Sequence, residues 1–191
     1  MKSTLTSSQT RSISKAFPIS FGIVAQITLL FLVGFFATWL HARFRFPLHL
    51  PGRHGLEFML LVVGARYLSG IKLSSSISVT GAIAASLIPG LGFTDPVIPF
   101  IYLAMGALID FSWAKFGKWV VWVPIAALVG GLAYSLIPLF RGLFSLVTGY
   151  YYNSLSGGVF YPWFTHFAFG FVGAVAGAGV ASGLKKLFTR K

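Results

Sequence analysis

The densest chemistry in the chain lies between two apolar stretches, where Arg43, Arg45, His49, Arg53 and His54 fall within a dozen residues. Pro47 and Pro51 stiffen the backbone between them. Guanidinium groups present several coplanar donors to a carboxylate or phosphate, so Arg43, Arg53 and His54 read as contacts for an anionic or polar solute. The same cations could instead stay solvated or meet lipid phosphates. Glu57 follows His54 by three residues, so the two can share one face of a helix and orient the same ligand. Glu57 would also be stabilised simply by standing in a first helical turn, four residues after Arg53. Two such side chains are too few for a divalent metal, which takes three or four ligands, and no metal site is expected.

A second group follows much later, in the segment from Arg141 to Trp163. It holds Tyr150, Tyr151, Tyr152, Asn153, Gly157, Gly158 and Tyr161. Tyrosine and tryptophan collect at membrane–water interfaces, and the same residues with glycine hinges could form a lid over a pocket. His166 continues the pattern, sharing a helical stripe with Trp163, Phe167 and Gly170. It serves either as a hydrogen-bonded packing residue or as a ligand contact. On the ligand reading, Tyr151, Trp163 and Phe167 enclose a solute, His166 joins the arginines in reading it, and Asn153 orients it. Asp95 precedes Pro96 and reads as a helix cap with proline at the first helical position. Arg66 and Asp110 lie toward the same end of their spans. They form an ion pair, or Asp110 pairs with Lys115, or Arg66 snorkels to the headgroups, or the two take part in coupling.

The elements that must position these groups are membrane helices. The 191 residues are 56% hydrophobic and 9% charged, and the mean hydropathy is +0.83. Soluble domains carry about 25% charged residues, and a chain of this size cannot hide so much apolar surface from water. The expected fold is all-α and polytopic, with six transmembrane helices: 17–40, 55–71, 76–89, 96–112, 119–140 and 161–187. The second and third are short for a bilayer that needs ~20 residues, and could be a re-entrant pair. Residues 1–16 read as a flexible or interfacial tail, 17–187 as one membrane domain and 188–191 as a basic tail. The apolar run after Lys15 is too long for the core of a cleaved signal peptide, so it reads as the first span.

Fifteen Lys and Arg face three acids, a net charge of +12. Their positions argue against nucleic-acid binding, because they stand in short segments between apolar runs and not along one face. With the N-terminus in the cytoplasm, only Arg43, Arg53, Arg45 and Arg141 lie outside, and the remaining cations lie inside. That distribution puts both termini in the cytoplasm of a cell-membrane protein. The chain has no cysteine, and no phosphate-binding loop, G-x-S-x-G or H-E-x-x-H occurs. An enzyme, a cofactor and an internal energy source are therefore not expected. Small residues recur every fourth position in the last span, as Gly173, Gly177 and Ala181 and as Gly170, Ala174 and Ala178. Such rows let helices approach closely, within the chain or against a partner subunit.

In size, six spans, the Pro/Gly-rich segment PLHLPGRHGLEFM, the small turn at Gly92 and the long aromatic fifth connection, the chain resembles the substrate-binding S components of energy-coupling factor (ECF) transporters. The resemblance covers about residues 17–187. It implies that segments 43–57, 92–96 and 141–166 cover one pocket for a vitamin-like solute. It also implies a membrane-embedded coupling subunit and cytoplasmic ATPases as partners. That family docks through small residues in its first helix; here Gly22 and Ala25 stand there, with Gly173, Gly177 and Ala181 as the denser alternative. A membrane enzyme acting on lipid or isoprenoid phosphates, with the loop cations as clamps, and a non-catalytic assembly subunit are the competing readings.

Overall fold

The computed structural model describes residues 21–44 and 50–189. Arg45, Pro47 and His49, the N-terminal tail and the last two residues lie outside the described residues. Among the described residues seven helices follow in order: α1 Phe21–Arg43, α2 Gly55–Leu68, α3 Ser74–Ser86, α4 Ile98–Val120, α5 Val123–Tyr134, α6 Leu136–Thr148 and α7 Phe160–Thr189. A single 3-10 turn, Asn153–Leu155, interrupts the connection before α7. No strand occurs among the described residues.

Among the described residues, four stretches are long and apolar enough to cross a bilayer: Gly22–Arg43, Ile98–Val120, Val123–Thr148 and Phe160–Leu187. The third of these joins α5 and α6. Helices α2 and α3 have 14 and 13 residues, or roughly 20 Å each at 1.5 Å per residue, against a hydrocarbon core of ~30 Å. Large apolar side chains face outward along the bundle, among them Leu29, Phe100, Phe111 and Leu146. Hydrocarbon is the solvent that such a surface requires.

Local chemistry explains the breaks. Gly90 and Gly92 both take positive φ between α3 and α4, which a side chain would strain. The helix α4 then starts at Ile98, two positions later than the Asp95-Pro96 pair suggests, with Pro99 in its first turn. Its regular geometry fails once, at Phe116 (φ −113°, ψ 19°). Beyond that kink the Tyr67 hydroxyl donates to the carbonyls of Val120 (3.1 Å) and Val121 (2.9 Å), holding the end of α4 against α2. Pro138 has no N–H to continue the ladder of α5, and the chain restarts as α6 at Leu136.

Packing relies on backbone contact at small residues. Gly34 of α1 lies against the Ser78 carbonyl of α3, and Gly81 of α3 against the Phe31 carbonyl of α1. On α7, Gly173 meets the carbonyls of Gly55 and Leu56, while Gly177 meets Leu60 and Gly64 of α2. Gly130 of α5 faces Ala174 of α7. Between apolar helices in lipid, dispersion at such distances replaces the hydrophobic drive. The interior is filled by Phe58, Met59, Val62, Val63, Ile101, Met105 and Ile109.

The two ends of this core differ. At one end, the last turn of α2, the first turn of α3 and the C-terminal part of α4 are joined by Arg66 and Asp110. Arg66 Nε lies 3.4 Å from Asp110 Oδ1, and its Nη1 donates to the Ile71 carbonyl (3.0 Å) and Ser74 Oγ (3.2 Å). Asp110 accepts the N–H groups of Ser75 (3.1 Å) and Ser76 (2.8 Å), so it caps α3 from a neighbouring helix. Arg66 also lies 5.4 Å from the Trp113 ring centre. Lys115, the other partner considered for Asp110, is exposed. The opposite end is hollow.

Candidate functional site

The hollow end holds a cavity of about 530 Å³. The last turn of α1 supplies His41 and Ala42, and the segment into α2 supplies Leu50 to His54. The α3–α4 connection adds Leu91 to Asp95, α4 adds Ile98 and Tyr102, and Tyr134, Ile137 and Arg141 come from α5 and α6. Ser154 and His166 complete the wall from the fifth connection and α7. Residues 50–54, 91–95, Arg141, Ser154 and His166, far apart in sequence, therefore line one space.

Rings dominate its lining. His41 stacks on His54 with centres 3.8 Å apart and planes at 15°, and Phe93 meets His41 edge-on at 5.3 Å. Tyr134 stacks on His166 at 5.4 Å. Behind them Phe58 lies 5.1 Å from Tyr102 and 6.1 Å from Tyr134. Gly52 turns the first connection with φ 79°, and any Cβ there would strike the His166 ring at 2.8 Å. Only glycine lets the loop cross so close to α7.

The polar groups are held in pairs. His54 Nδ1 lies 2.5 Å from Glu57 Oε1. Glu57 is 9% exposed and its Oε2 has no hydrogen-bond partner. His166 Nδ1 donates to the Pro162 carbonyl at 2.7 Å, because a carbonyl can only accept. Asp95 does more than cap α4. Its Oδ1 accepts the Val97 N–H (3.0 Å) and the Tyr152 hydroxyl (3.0 Å), and its Oδ2 accepts Arg141 Nε at 2.6 Å. The Arg141 guanidinium carbon lies 5.6 Å from the Tyr152 ring centre. One carboxylate thus ties the third connection, α6 and the fifth connection together. Burial first, then the hydrogen bond and charge of Asp95, push the Tyr152 hydroxyl well above its usual pKa, so it remains a donor.

The expected contacts divide into four groups. Arg53, His54 and His166 line the cavity. Glu57 stands behind His54 and does not reach the space. Arg43, Tyr151 and Asn153 are exposed outside it. Trp163 and Phe167 stack on each other (6.0 Å, 20°), and the Phe167 ring packs on Gly131 of α5. His41, Phe93, Tyr102, Tyr134, Asp95 and Arg141 line the cavity without having been singled out as ligand contacts. The available signal was Tyr102 and Tyr134, hydroxyl-bearing rings placed well inside apolar spans and not at their interfacial ends.

The small-residue rows have an intramolecular use. Gly173, Gly177 and Ala181 are buried, the two glycines against α2 of the same chain. Gly22 is exposed and Ala25 half-buried at the start of α1. Among the described residues no group of three or more His, Asp or Glu is placed to hold a metal ion. No protein-family model matches the chain, and no curated protein or solved structure is significantly similar to it.

Proposed function

We propose that this protein is the substrate-capturing membrane subunit of an ECF-type uptake system. It would bind a small vitamin-like solute from outside and release it inside when partner subunits convert ATP hydrolysis into motion. In this reading α1, α2, α3, α4, the α5–α6 pair and α7 are six crossings. The cavity faces out and both termini lie in the cytoplasm. The observation that carries the proposal is the convergence of three separate connectors on one ring-lined cavity at a single end of the bundle. The exposed cations Lys72, Lys115 and Lys118 belong to the other end, which agrees with a cytoplasmic face. The short α2 and α3 are sheltered by their neighbours: α3 lies on α1 and α2 on α7, so neither has to match the bilayer alone.

The test is binding by the purified, detergent-solubilised chain. At least one vitamin-like solute should bind with submicromolar affinity, and two ATPases with a larger membrane protein should copurify from native membranes. Affinities no better than micromolar across the panel would overturn the proposal. Turnover of lipid or isoprenoid phosphates by the chain alone, abolished by His54→Ala, would replace it with an enzyme.

A further inference from the structure

We infer that the cavity selects a small planar carboxylate, and that Arg141 is the residue that reads it. The inference rests on the capture reading above and adds to it the chemical class of the solute.

The carboxylate in the cavity wall is fully engaged, while the Nη edge of Arg141 is not. Asp95, the acid in the wall, already receives three protein donors on its two oxygens. Glu57 is set back behind His54 and paired with it. A cationic solute would find no carboxylate waiting for it. Arg141 is arranged the other way. It is 22% exposed and donates only through Nε to Asp95. Among the described residues, neither Nη1 nor Nη2 meets a protein acceptor. The Nε bond and the Tyr152 ring hold the guanidinium plane, leaving its Nη edge to the cavity that Arg141 lines. Two coplanar N–H donors on a fixed edge match the two oxygens of a carboxylate.

The rings of Phe93, Tyr102, Tyr134 and His166 give the rest of the solute flat surfaces to stack on, which favours a planar body.

The test uses the purified full chain in nanodiscs. The probes are aromatic monocarboxylates, each paired with its primary amide, its methylamine counterpart and its phosphate ester. Binding is read by thermal shift and calorimetry. At least one acid should bind about tenfold or more tighter than its amide, as expected for one lost charge-assisted pair. Arg141→Gln should erase that preference. Arg141→Lys keeps the charge without the fork, and should weaken acid binding about tenfold while the unliganded melting temperature stays near that of wild type. If amides, amines or phosphate esters bind as well as or better than the acids, capture stands and the carboxylate assignment falls. The assignment also falls if the acid preference survives in Arg141→Gln. If no probe of any class binds, both proposals are overturned.

Discussion

Replacing Asp110 by Asn probes the end of the bundle opposite the ring-lined cavity. Asp110 is 4% exposed, lies 3.4 Å from Arg66 Nε and accepts two backbone N–H groups at the start of α3. Asparagine keeps one acceptor oxygen and presents an NH₂ to a second N–H, so one donor is orphaned. It also leaves the Arg66 guanidinium without its counter-charge. Breaking a buried ion pair on one side costs about 3–5 kcal/mol, of which about 1 kcal/mol is the lost helix cap. For a chain of this length 1 kcal/mol moves the melting temperature by roughly 2–4 °C, so the expected drop is about 6–20 °C. The assay is thermal unfolding in detergent, followed by far-UV circular dichroism. The double variant Arg66→Met with Asp110→Asn should lose less than the two single variants together, with a coupling of about 1–3 kcal/mol. Lys115→Gln should leave the melting temperature unchanged, since Lys115 is exposed. A shift below about 2 °C for Asp110→Asn, or strict additivity in the double variant, would refute the clasp.

On α7, Gly177→Ala and Gly179→Ala should part company. The first drives a Cβ into the Leu60 carbonyl and should cost about 2 kcal/mol or more, while the second faces open space and should be neutral or stabilising by up to about 1 kcal/mol. Thermal unfolding separates them, and equal effects would contradict the α2–α7 contact. Because the chain has no cysteine, Arg53→Cys, Tyr151→Cys and Lys118→Cys can each be labelled singly in intact cells with a membrane-impermeant maleimide. The first two should react from outside and the third only after permeabilisation; labelling of Arg53 and Tyr151 from opposite faces would dismantle the shared cavity. The Tyr152 hydroxyl has a raised pKa in the folded state, so its contribution to stability is intact below about pH 10 and lost as pH rises beyond it. Tyr152→Phe should therefore flatten the alkaline fall in melting temperature between pH 9 and 11, and an unchanged slope would count against the Asp95 contact.

The membrane class was written in composition, because lipid is a solvent with one demand: long apolar runs with their charges at the ends. That demand acts on each stretch separately, so the sequence located the starts of α4, the α5–α6 stretch and α7 within about four residues. Helices α4 and α6 run on to Val120 and Thr148, past the expected ends at 112 and 140. It also marked α2 and α3 as short, and the structure shows why they can be: each lies along a longer helix by a backbone contact at glycine. The resemblance implied a pocket shared by the first, third and fifth connections, and described residues from each line one cavity.

Which side chains face the cavity could not be read in the same way. Tyr151 and Trp163 look like ligand rings in a sequence rich in both, yet one is exposed and the other packs beside Phe167. Asp95 looked like a cap, and its bonds to Arg141 and Tyr152 span 46 and 57 residues of chain. Gly177 and Gly179 are indistinguishable as letters, and only the position of α2 tells them apart. Hydropathy and helix breaks are local properties, carried by each segment wherever it lies. Facing and pairing depend on the rotation of one helix against another, and that rotation is settled when all seven pack at once.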